Sequence, residues 1–501
     1  MQNVSPPFPP WTTGFRDTNE RYWGADPLED ILSFLLTIGS PTLAAYSLQI
    51  TQLNSRWINQ AFSDIDYPNS DTIPVAISAL QHIPVQLSSN PTLLPSLIIL
   101  PQNDGYWRLL HKSARKIRRW SIPLVMNFAW VVIAAVLTIV DSFYRPTPGE
   151  IGYGTVTSLA YLLPLIIGWL HVGSEPEPNH LKDSLEDAGR LAWVATDERG
   201  EPVLAVGQQK RAIEVVKRLN VDPARRDELI TNPIFNYARV FAWSQMVEFV
   251  FMLTKNAAMK ADQGIPVSGS AAGVEVDAMA DGRNGTVDEV IQYCKEGSAS
   301  LETLAGTPQP IVSSSLGSPI WATGVWSRVA LATVFALGLQ WGTTGASIGI
   351  HYMMHPIGLG CRAISLLMYG ISGTVSFLLL LASSILAHLS RPQPGSTYRY
   401  SRLRAYQNTG AILCRWMGKS LAIIAGLGIL VVSFVQPLAV FNNCWCSTTT
   451  LDTPRQFVVF YTENFALEWG IVKVWVGCLV LAFGASFLFG FAIYLGTPRR
   501  R

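Results

Sequence analysis

The chain has 501 residues, of which 49% are hydrophobic and 14% are charged, and its formal net charge is +2. Ordinary soluble domains carry about 25% charged residues, so this composition favours a membrane protein. The nearly balanced charge excludes a general electrostatic attraction to nucleic acid.

Apolar runs of about 20 residues, the length that a helix needs to cross a bilayer, recur along the chain. The first run is interrupted by Ser40-Pro41 and is predicted to be a kinked span. A hairpin of two spans follows within 121–171, and a core of four spans lies within 321–501. We therefore predict an all-α, polytopic membrane helix bundle of about seven transmembrane helices. The predicted spans are 31–50, 122–141, 153–171, 326–350, 361–387, 416–436 and 471–495.

Basic residues in the connecting segments predict the orientation, because Lys and Arg are enriched on the cytoplasmic side of a membrane. The segments "HKSARKIRRW" and "RPQPGSTYRYSRLR" and the terminal "RRR" all fall on one side of the predicted bundle. That side is predicted to be cytoplasmic. With seven spans, the tail 1–30 is extracytoplasmic and the C-terminus is cytoplasmic; with six spans, both ends are cytoplasmic.

Two long polar stretches, 51–120 and 172–320, are predicted to be cytoplasmic. Mixed-sign charges and the periodicity of "RAIEVVKRL" predict short amphipathic helices in the second stretch. Its last part, 262–320, is rich in Gly, Ser, Ala and Pro and is predicted to be a flexible linker with one short helix near "VDEVIQYCK". The apolar segment 233–255 is interrupted by Arg239 and Glu248. We expect it to lie on the membrane or against the bundle, with a further span as the alternative.

Motifs of the common soluble enzymes are absent from the sequence: it has no phosphate-binding loop, dinucleotide-binding glycine motif, zinc-protease motif, nucleophile elbow or kinase signature. Asp64 and Asp66 in "SDIDYPNSD" could hold Mg²⁺, but their Pro- and Asn-rich surroundings favour a solvated loop. A membrane-embedded enzyme would need one or two acidic groups in an apolar cavity. The candidates for these groups are Asp141, Glu463 and Glu468. No cofactor is predicted.

A transporter usually carries ionisable residues deep in its spans. Here the basic residues lie near the span ends, where their long side chains can reach the headgroups, and we expect Lys473 to be an interface anchor rather than a coupling site. The residues predicted to reach the headgroups in this way are Arg328, Arg362, Arg415 and Lys419.

The segment "LQWGTTGASIGIHYMMHPIGLGCR", residues 339–362, has two interpretations. Two histidines four residues apart share a helix face, and soft sulfur ligands nearby would suit Cu(I). Pro356 and the following glycines instead predict a tight connection between two helices, and we favour this hairpin, with no metal. The candidate ligands of the less favoured copper site are His351, Met353, Met354, His355 and Cys361.

Small residues before this connection form two GxxxG units, which let a neighbouring helix approach closely in lipid. Each glycine is predicted to contact that neighbour. The four predicted packing positions are Gly338, Gly342, Gly345 and Gly349.

Modification sites follow from the predicted orientation. Glycosylation sequons begin at Asn3 and Asn284, and only Asn3 is predicted to lie outside the cytoplasm. Cys444 and Cys446 are predicted to lie on the oxidising side, where bonding to other cysteines and free thiols are both open. A disulfide between these two would be strained, because a single residue separates them.

The segments "LEDILSFLLTIGSPTLAAYSLQITQLNSRW", "ALGLQWGTTGASIGI", "GLGCRAISLLMYG" and "FGFAIYLG" resemble stretches of a family of polytopic integral membrane proteins from filamentous fungi. The likeness covers most of the chain outside 262–320. It implies a multi-pass protein of the plasma membrane or an endomembrane, with the lipid bilayer as its partner and no assigned activity. Some fungal proteins of this type belong to secondary-metabolite gene clusters, which suggests an accessory protein of such a pathway. A cyclase-like embedded enzyme, a transporter and a seven-span receptor are the alternatives.

Overall fold

The computed structural model describes 27–88, 90, 92–114, 157–172, 178–197, 201–205, 211–216, 222–268, 282–295, 321–353, 358–391, 400–435, 446 and 469–496. Most of these residues are helical. The helices are α1 (Pro27–Gly39), α2 (Pro41–Phe62), α3 (Thr72–Ala79), α4 (Leu93–Ile99), α5 (Asp104–Ala114), α6 (Leu162–Val172), α7 (Pro178–Arg190), α8 (Asn236–Asp262), α9 (Val287–Tyr293), α10 (Val325–Met353), α11 (Cys361–Leu389), α12 (Tyr400–Val435) and α13 (Trp469–Gly496).

Two small antiparallel sheets correct the all-α prediction. Strand β1 pairs with β4, and β2 pairs with β3. Each strand has only two or three residues, which is too short for the alternation of polar and apolar residues that identifies a strand in a sequence. The strands are β1 (Val85–Leu87), β2 (Trp193–Val194), β3 (Val203–Leu204) and β4 (Ile213–Val215).

The described residues have two large hydrophobic cores. The first is the core of a helical domain, in which Trp107, Leu181 and Val250 are completely buried together. The two polar stretches that were predicted as separate cytoplasmic segments therefore fold as one domain. The second core belongs to a helix bundle made of α1, the first half of α2, α6 and α10–α13.

Helices α2 and α8 run through both cores. In α2, Leu48 is buried in the bundle and Ile58 in the helical domain; in α8, Phe241 is buried in the bundle and Val250 in the domain. The segment 233–255 therefore packs against the bundle, as predicted, and it is not among the candidate membrane spans. The bundle and the domain share continuous helices rather than meeting through a loop.

Part of the predicted linker 262–320 is folded. Residues 282–295 include α9, the short helix expected near "VDEVIQYCK", and its Thr286 and Glu289 form a reciprocal capping box. Val290 and Cys294, on one face of this helix, are buried in the domain core. The short helix predicted within 262–320 is therefore present, and its apolar face packs in the domain core.

Four described helices are long and apolar enough to cross a membrane. The prediction of about seven spans is not confirmed: the second predicted span, 122–141, lies outside the described residues, and only α6 is described within 153–171. The candidate spans are Val325–Met353, Cys361–Leu389, Arg402–Ser433 and Lys473–Gly496.

Large apolar side chains on the outer faces of these helices are exposed. A soluble monomer rarely shows a contiguous apolar surface of this kind, whereas lipid would cover it. The side chains that are more than half exposed include Met368 and Leu378 of α11, Trp416, Ile424 and Val431 of α12, and Val480, Phe487, Leu488 and Leu495 of α13.

Helices α10 and α11 form the hairpin that the segment 339–362 predicts, and α13 packs along α10. A Cβ atom added at Gly342 would lie 2.3 Å from the Cβ atom of Ala485, and Gly349 is also in close contact with α13. Among the described residues, Gly338 and Gly345 have nothing within 4 Å of an added Cβ atom. The predicted close contact is therefore observed for one glycine of each GxxxG unit, and no described residue provides it for Gly338 or Gly345.

Helices α1 and α2 form a sharply bent pair with an angle of 103° at Ser40. The break lies in the middle of the bundle, since the Ser40 hydroxyl donates a hydrogen bond to the Gly373 carbonyl at 2.7 Å. Asp30 of α1 accepts a hydrogen bond from Asn232, which precedes α8, while α2 ends in the helical domain. Both outer ends of the pair therefore lie on the side of the domain. A bent pair of this kind is either one broken span or a re-entrant pair, so the predicted break at Ser40-Pro41 is present and the kinked first span stays a prediction.

Candidate functional site

The helix break at Ser40 is closed by Gln340 of α10. The Gln340 side-chain oxygen accepts hydrogen bonds from the backbone N–H of Thr42, at 2.9 Å, and from the Thr42 hydroxyl. Its amide nitrogen donates to the Gly370 carbonyl at 2.6 Å and to the Thr374 hydroxyl at 3.1 Å. Since backbone polar groups at membrane depth need partners inside the protein, Gln340 makes the interrupted helix tolerable there.

Carbonyl groups at the end of α1 have no partner within the helix and are capped by tyrosines. The Tyr369 hydroxyl donates to the Ile38 carbonyl at 2.6 Å, and the Tyr161 hydroxyl donates to the Thr37 carbonyl at 3.3 Å. The break is therefore lined by neutral, hydrogen-bonded groups. Such a lining suits an uncharged polar solute better than an ion pair.

A charged cluster joins the bundle to the 3₁₀ segment Pro223–Leu229. The carboxylate of Asp227 lies 2.6 Å from the Lys419 ammonium group and 3.9 Å from the Arg415 guanidinium, and it accepts a 2.5 Å hydrogen bond from the Tyr237 hydroxyl. Burial, followed by the charge of Asp227, raises the pKa of Tyr237 well above its ordinary value, so this hydroxyl remains a donor.

Glu228 forms the second half of this cluster. It accepts hydrogen bonds from Arg225 at 2.7 Å and from Arg391, just after α11, at 3.0 Å. Burial alone would raise the pKa of Glu228, but the two guanidinium groups outweigh it and hold the pKa below its ordinary value. Glu228 is therefore ionised at neutral pH.

Helices α10–α13 contain no acidic residue, and the sequence has none between Glu302 and Asp452, so the carboxylates that pair with Arg391 and Lys419 come from this segment. Arg415 and Lys419 were predicted to reach the lipid headgroups. Their side chains instead point inward and pair with Asp227. The sequence analysis predicted only short amphipathic helices in 172–320 and did not identify this role of Asp227 and Glu228. The stretch without acidic residues could have indicated this role, because its buried cations need carboxylate partners from another part of the chain.

Arg328, in the first turn of α10, is also buried rather than extended to the headgroups. Its guanidinium carbon lies 3.8 Å from the centre of the Trp57 ring, and its Nη2 donates to the Ser244 hydroxyl at 3.2 Å. Its Nε and Nη1 atoms are buried without a hydrogen-bond partner. The nearby Glu248 instead accepts hydrogen bonds from the backbone N–H and hydroxyl of Thr323.

The residues proposed for a copper site do not assemble in the described part of the chain. His351 is buried and hydrogen-bonds through Nδ1 to the Ser347 carbonyl at 2.8 Å, while Met353 is partly exposed. Cys361 forms a disulfide with Cys446, so it offers no thiolate. No group of three or more His, Cys, Asp or Glu side chains within the described ranges could hold a metal ion.

The Cys361–Cys446 disulfide joins the start of α11 to the segment that precedes α13, with Cα atoms 5.4 Å apart. It lies at the end of the bundle opposite the helical domain, because α11 begins there and runs towards the domain. Of the two alternatives for Cys446, bonding to another cysteine is the one observed. The spacing of the cysteines could not have predicted Cys361 as the partner.

The remaining predicted residues are at the surface or outside the described ranges. Asp64 and Asp66 are exposed, as a solvated loop requires, and Lys473 is exposed as well. Asn284 is exposed on the helical domain, 3.3 Å from the side chain of Gln102. The predicted residues that the structure does not describe are Asn3, Asp141, Met354, His355, Cys444, Glu463 and Glu468.

A small cavity lies beside the charged cluster, between Glu228, Tyr237 and Ser384. It could hold a water molecule but not a metabolite. The comparisons with known proteins give no further guidance: no protein-family model, no curated protein and no solved structure matches the chain. The resemblance to fungal membrane proteins stays a prediction.

Proposed function

We propose that the chain is a multi-pass membrane protein that holds its helical domain against the cytoplasmic face of the bilayer. The exposed apolar surface of α11, α12 and α13 carries this proposal, since lipid is the solvent that such a surface fits. Arg391, just after α11, pairs with Glu228 at the domain end of the bundle, and the positive-inside bias of the basic segment 391–404 assigns that end to the cytoplasm. The disulfide at the opposite end then faces an oxidising compartment.

The arrangement has six spans and one re-entrant pair: the four candidate spans, the predicted hairpin within 121–171, and the pair α1–α2. Both ends of the chain are then cytoplasmic, which was the six-span alternative. Asn3 and Asn284 both lie on the cytoplasmic side in this arrangement and stay unglycosylated.

Protease protection on sealed vesicles tests this topology. Tags before residue 27, near residue 280 and after Arg501 should be digested from the cytoplasmic side, and a tag within 443–455 should be protected. Extraction with alkaline carbonate, which should leave the protein in the pellet, is the control for membrane insertion. A protected N-terminal tag with a digested C-terminal tag would favour the kinked first span.

Transport of a small, uncharged polar solute is a second candidate function. The helix break at Ser40 favours it, because transporters often bind substrate near the bilayer midplane where a discontinuous helix exposes polar groups. Here that position is occupied by Thr42, Gln340 and Thr374, which bond to one another and close the site. Transport would require Gln340 to release these partners.

Cysteine accessibility tests the transport candidate. Thr42→Cys should react with a small, membrane-impermeant thiol reagent if the break opens to water, and Gln340→Ala should increase that rate. Leu427→Cys, on the exposed face of α12, is the control for a lipid-facing position. Thr42→Cys that stays unreactive from both sides, even with Gln340→Ala, would reject transport through the break.

No residue that the structure describes supports the embedded-enzyme alternative or the accessory role in secondary metabolism. Metabolite profiling of a deletion strain tests both. A missing product together with an accumulated precursor would favour the enzyme, and an unchanged profile would reject both roles.

A further inference from the structure

The buried guanidinium of Arg328 has neither a carboxylate nor a full set of hydrogen-bond acceptors. Only 6% of the residue is exposed, two of its nitrogen atoms have no partner, and no described carboxylate lies within 4.0 Å of it. Burying a cation in this state carries a free-energy cost, because its lost hydration is not replaced by partners in the protein. A partner for Arg328 would remove that cost.

Other buried arginines of the chain show what such a partner looks like. Arg239 is 4% exposed, and its guanidinium donates to the carbonyls of Gln81 and Ile230 and to the side chain of Asn236. Arg415 reaches Asp227 and the Pro223 carbonyl. Arg328 therefore differs from both.

Two hydroxyl groups near Arg328 can donate hydrogen bonds. The Tyr46 hydroxyl is completely buried without a hydrogen-bond partner and lies within electrostatic range of Arg328. The Ser244 hydroxyl accepts a hydrogen bond from Nη2, and Trp57 covers one face of the guanidinium. The free Nε and Nη1 groups of Arg328 and the hydroxyl protons of Tyr46 and Ser244 can donate hydrogen bonds to an anion with several oxygen atoms.

Glu248 is the described carboxylate that acts on Arg328 electrostatically, and its oxygens are already engaged by Thr323. Its negative charge reduces the attraction of Arg328 for an added anion. Removing that charge should therefore strengthen anion binding, whereas it should weaken the fold if Glu248 were the counter-ion of Arg328.

We propose that Arg328, Tyr46 and Ser244 form a binding site for a phosphate-type oxyanion where α2, α8 and α10 meet. The anion is a free phosphate group or the phosphate of a lipid headgroup. Arg328 lies in the first turn of a candidate span, beside the half-exposed Trp326, which is the depth of a lipid phosphate. The headgroup source rests on the proposed membrane function, and the free-phosphate source does not.

Thermal unfolding of the purified full chain in a neutral detergent tests the free-phosphate source. Inorganic phosphate should raise the melting temperature more than chloride does at equal ionic strength. Arg328→Gln should weaken the apparent affinity roughly tenfold or more, as expected for the loss of charged hydrogen bonds. Arg402→Gln, which removes an exposed arginine of α12, should leave the affinity unchanged.

Native mass spectrometry tests the headgroup source. Protein from phosphatidylcholine nanodiscs with added phosphatidic acid should retain one phosphatidic acid molecule, and Arg328→Gln should lose it. Retention there without an effect of free phosphate assigns the lipid source, and the reverse assigns a soluble phosphate group.

Two further variants keep the test decisive if Arg328→Gln does not fold. Glu248→Gln should bind phosphate more tightly than wild type, and Tyr46→Phe should bind it more weakly. Wild-type protein without a phosphate effect and without retained phosphatidic acid would overturn the proposal. A lowered melting temperature of Glu248→Gln with no gain in phosphate affinity would also overturn it. The tag experiment tests the proposed topology separately, so a wrong topology and a missing anion site give different results.

Discussion

The bundle meets the rest of the protein at two junctions that differ in how buried charge is compensated. At the first junction, the segment Pro223–Leu229, Asp227 and Glu228 are surrounded by four cations, and each carboxylate pairs directly with at least one of them. At the second, Arg328 lies on Trp57 without a carboxylate. The first junction is complete as it stands, and the second has unused donors.

The difference shows that burial alone does not identify a structural charge. A paired buried cluster is sensitive to the loss of one member, because the remaining charges lose compensation. An unpaired buried cation already carries that cost, so removing it should be tolerated. The response to substitution therefore separates a structural junction from a binding site.

Asp227→Asn should give the largest effect. It leaves Lys419 and Arg415 buried next to a neutral amide and should destabilise the protein by about 3–5 kcal/mol. The measurement is the melting temperature in detergent together with the yield of monodisperse protein. Asp64→Asn, at an exposed carboxylate, is the matched control and should behave like wild type.

A contact without charge provides the next comparison. Gly342→Leu forces a side chain into Ala485 and should destabilise the protein by roughly 1–3 kcal/mol or prevent folding. Gly345→Leu, one turn away on the same helix, enters open space and should fold normally. Equal yields of the two variants in membranes would contradict the observed packing of α10 against α13.

Acid should weaken the first junction selectively. The folded pKa of Glu228 is below its ordinary value of 4.5, so its contribution is complete above that pH and is lost as the pH falls through the folded pKa. Melting temperatures of wild type should therefore fall on acidification below about pH 4.5. Glu228→Gln should be less stable at neutral pH and should show a shallower acid decline.

Arg328→Met should have the smallest effect. In the absence of phosphate we expect a stability within about 1 kcal/mol of wild type, or slightly higher, since an uncompensated charge is replaced by an apolar side chain that still covers Trp57. Calorimetry in chloride buffer provides the measurement. A loss as large as that of Asp227→Asn would show that the two junctions do not differ in kind.

The sequence predicted features that arise from local patterns. Runs of apolar residues identified the four candidate spans, and Pro41 identified the break between α1 and α2. The direction of the chain after the break was not predictable, because a proline interrupts a helix without stating where the next one points. The angle between α1 and α2 depends on distant contacts, such as that of Ser40 with Gly373.

The candidate sites were harder to predict for the same reason. Asp227 and Lys419 are far apart in the chain, and the basic residues at span ends resemble headgroup anchors in the sequence. The state of Arg328 depends on side chains from α2 and α8, which only the fold brings together. The hairpin at 339–362 was predictable, because its turn signals are contiguous.

The acid-free stretch between Glu302 and Asp452 has a consequence for how the protein is assembled. The last four helices are synthesised after Asp227 and Glu228, which supply their counter-ions. Their buried basic side chains can therefore be paired as soon as the helices insert into the membrane. A fragment that begins at residue 321 would lack Asp227 and Glu228, and it would also lack the shared helices α2 and α8. Co-expressing 1–320 with 321–501 should therefore rescue a fragment that is degraded when it is made alone, so the two halves are obligate partners within one polypeptide.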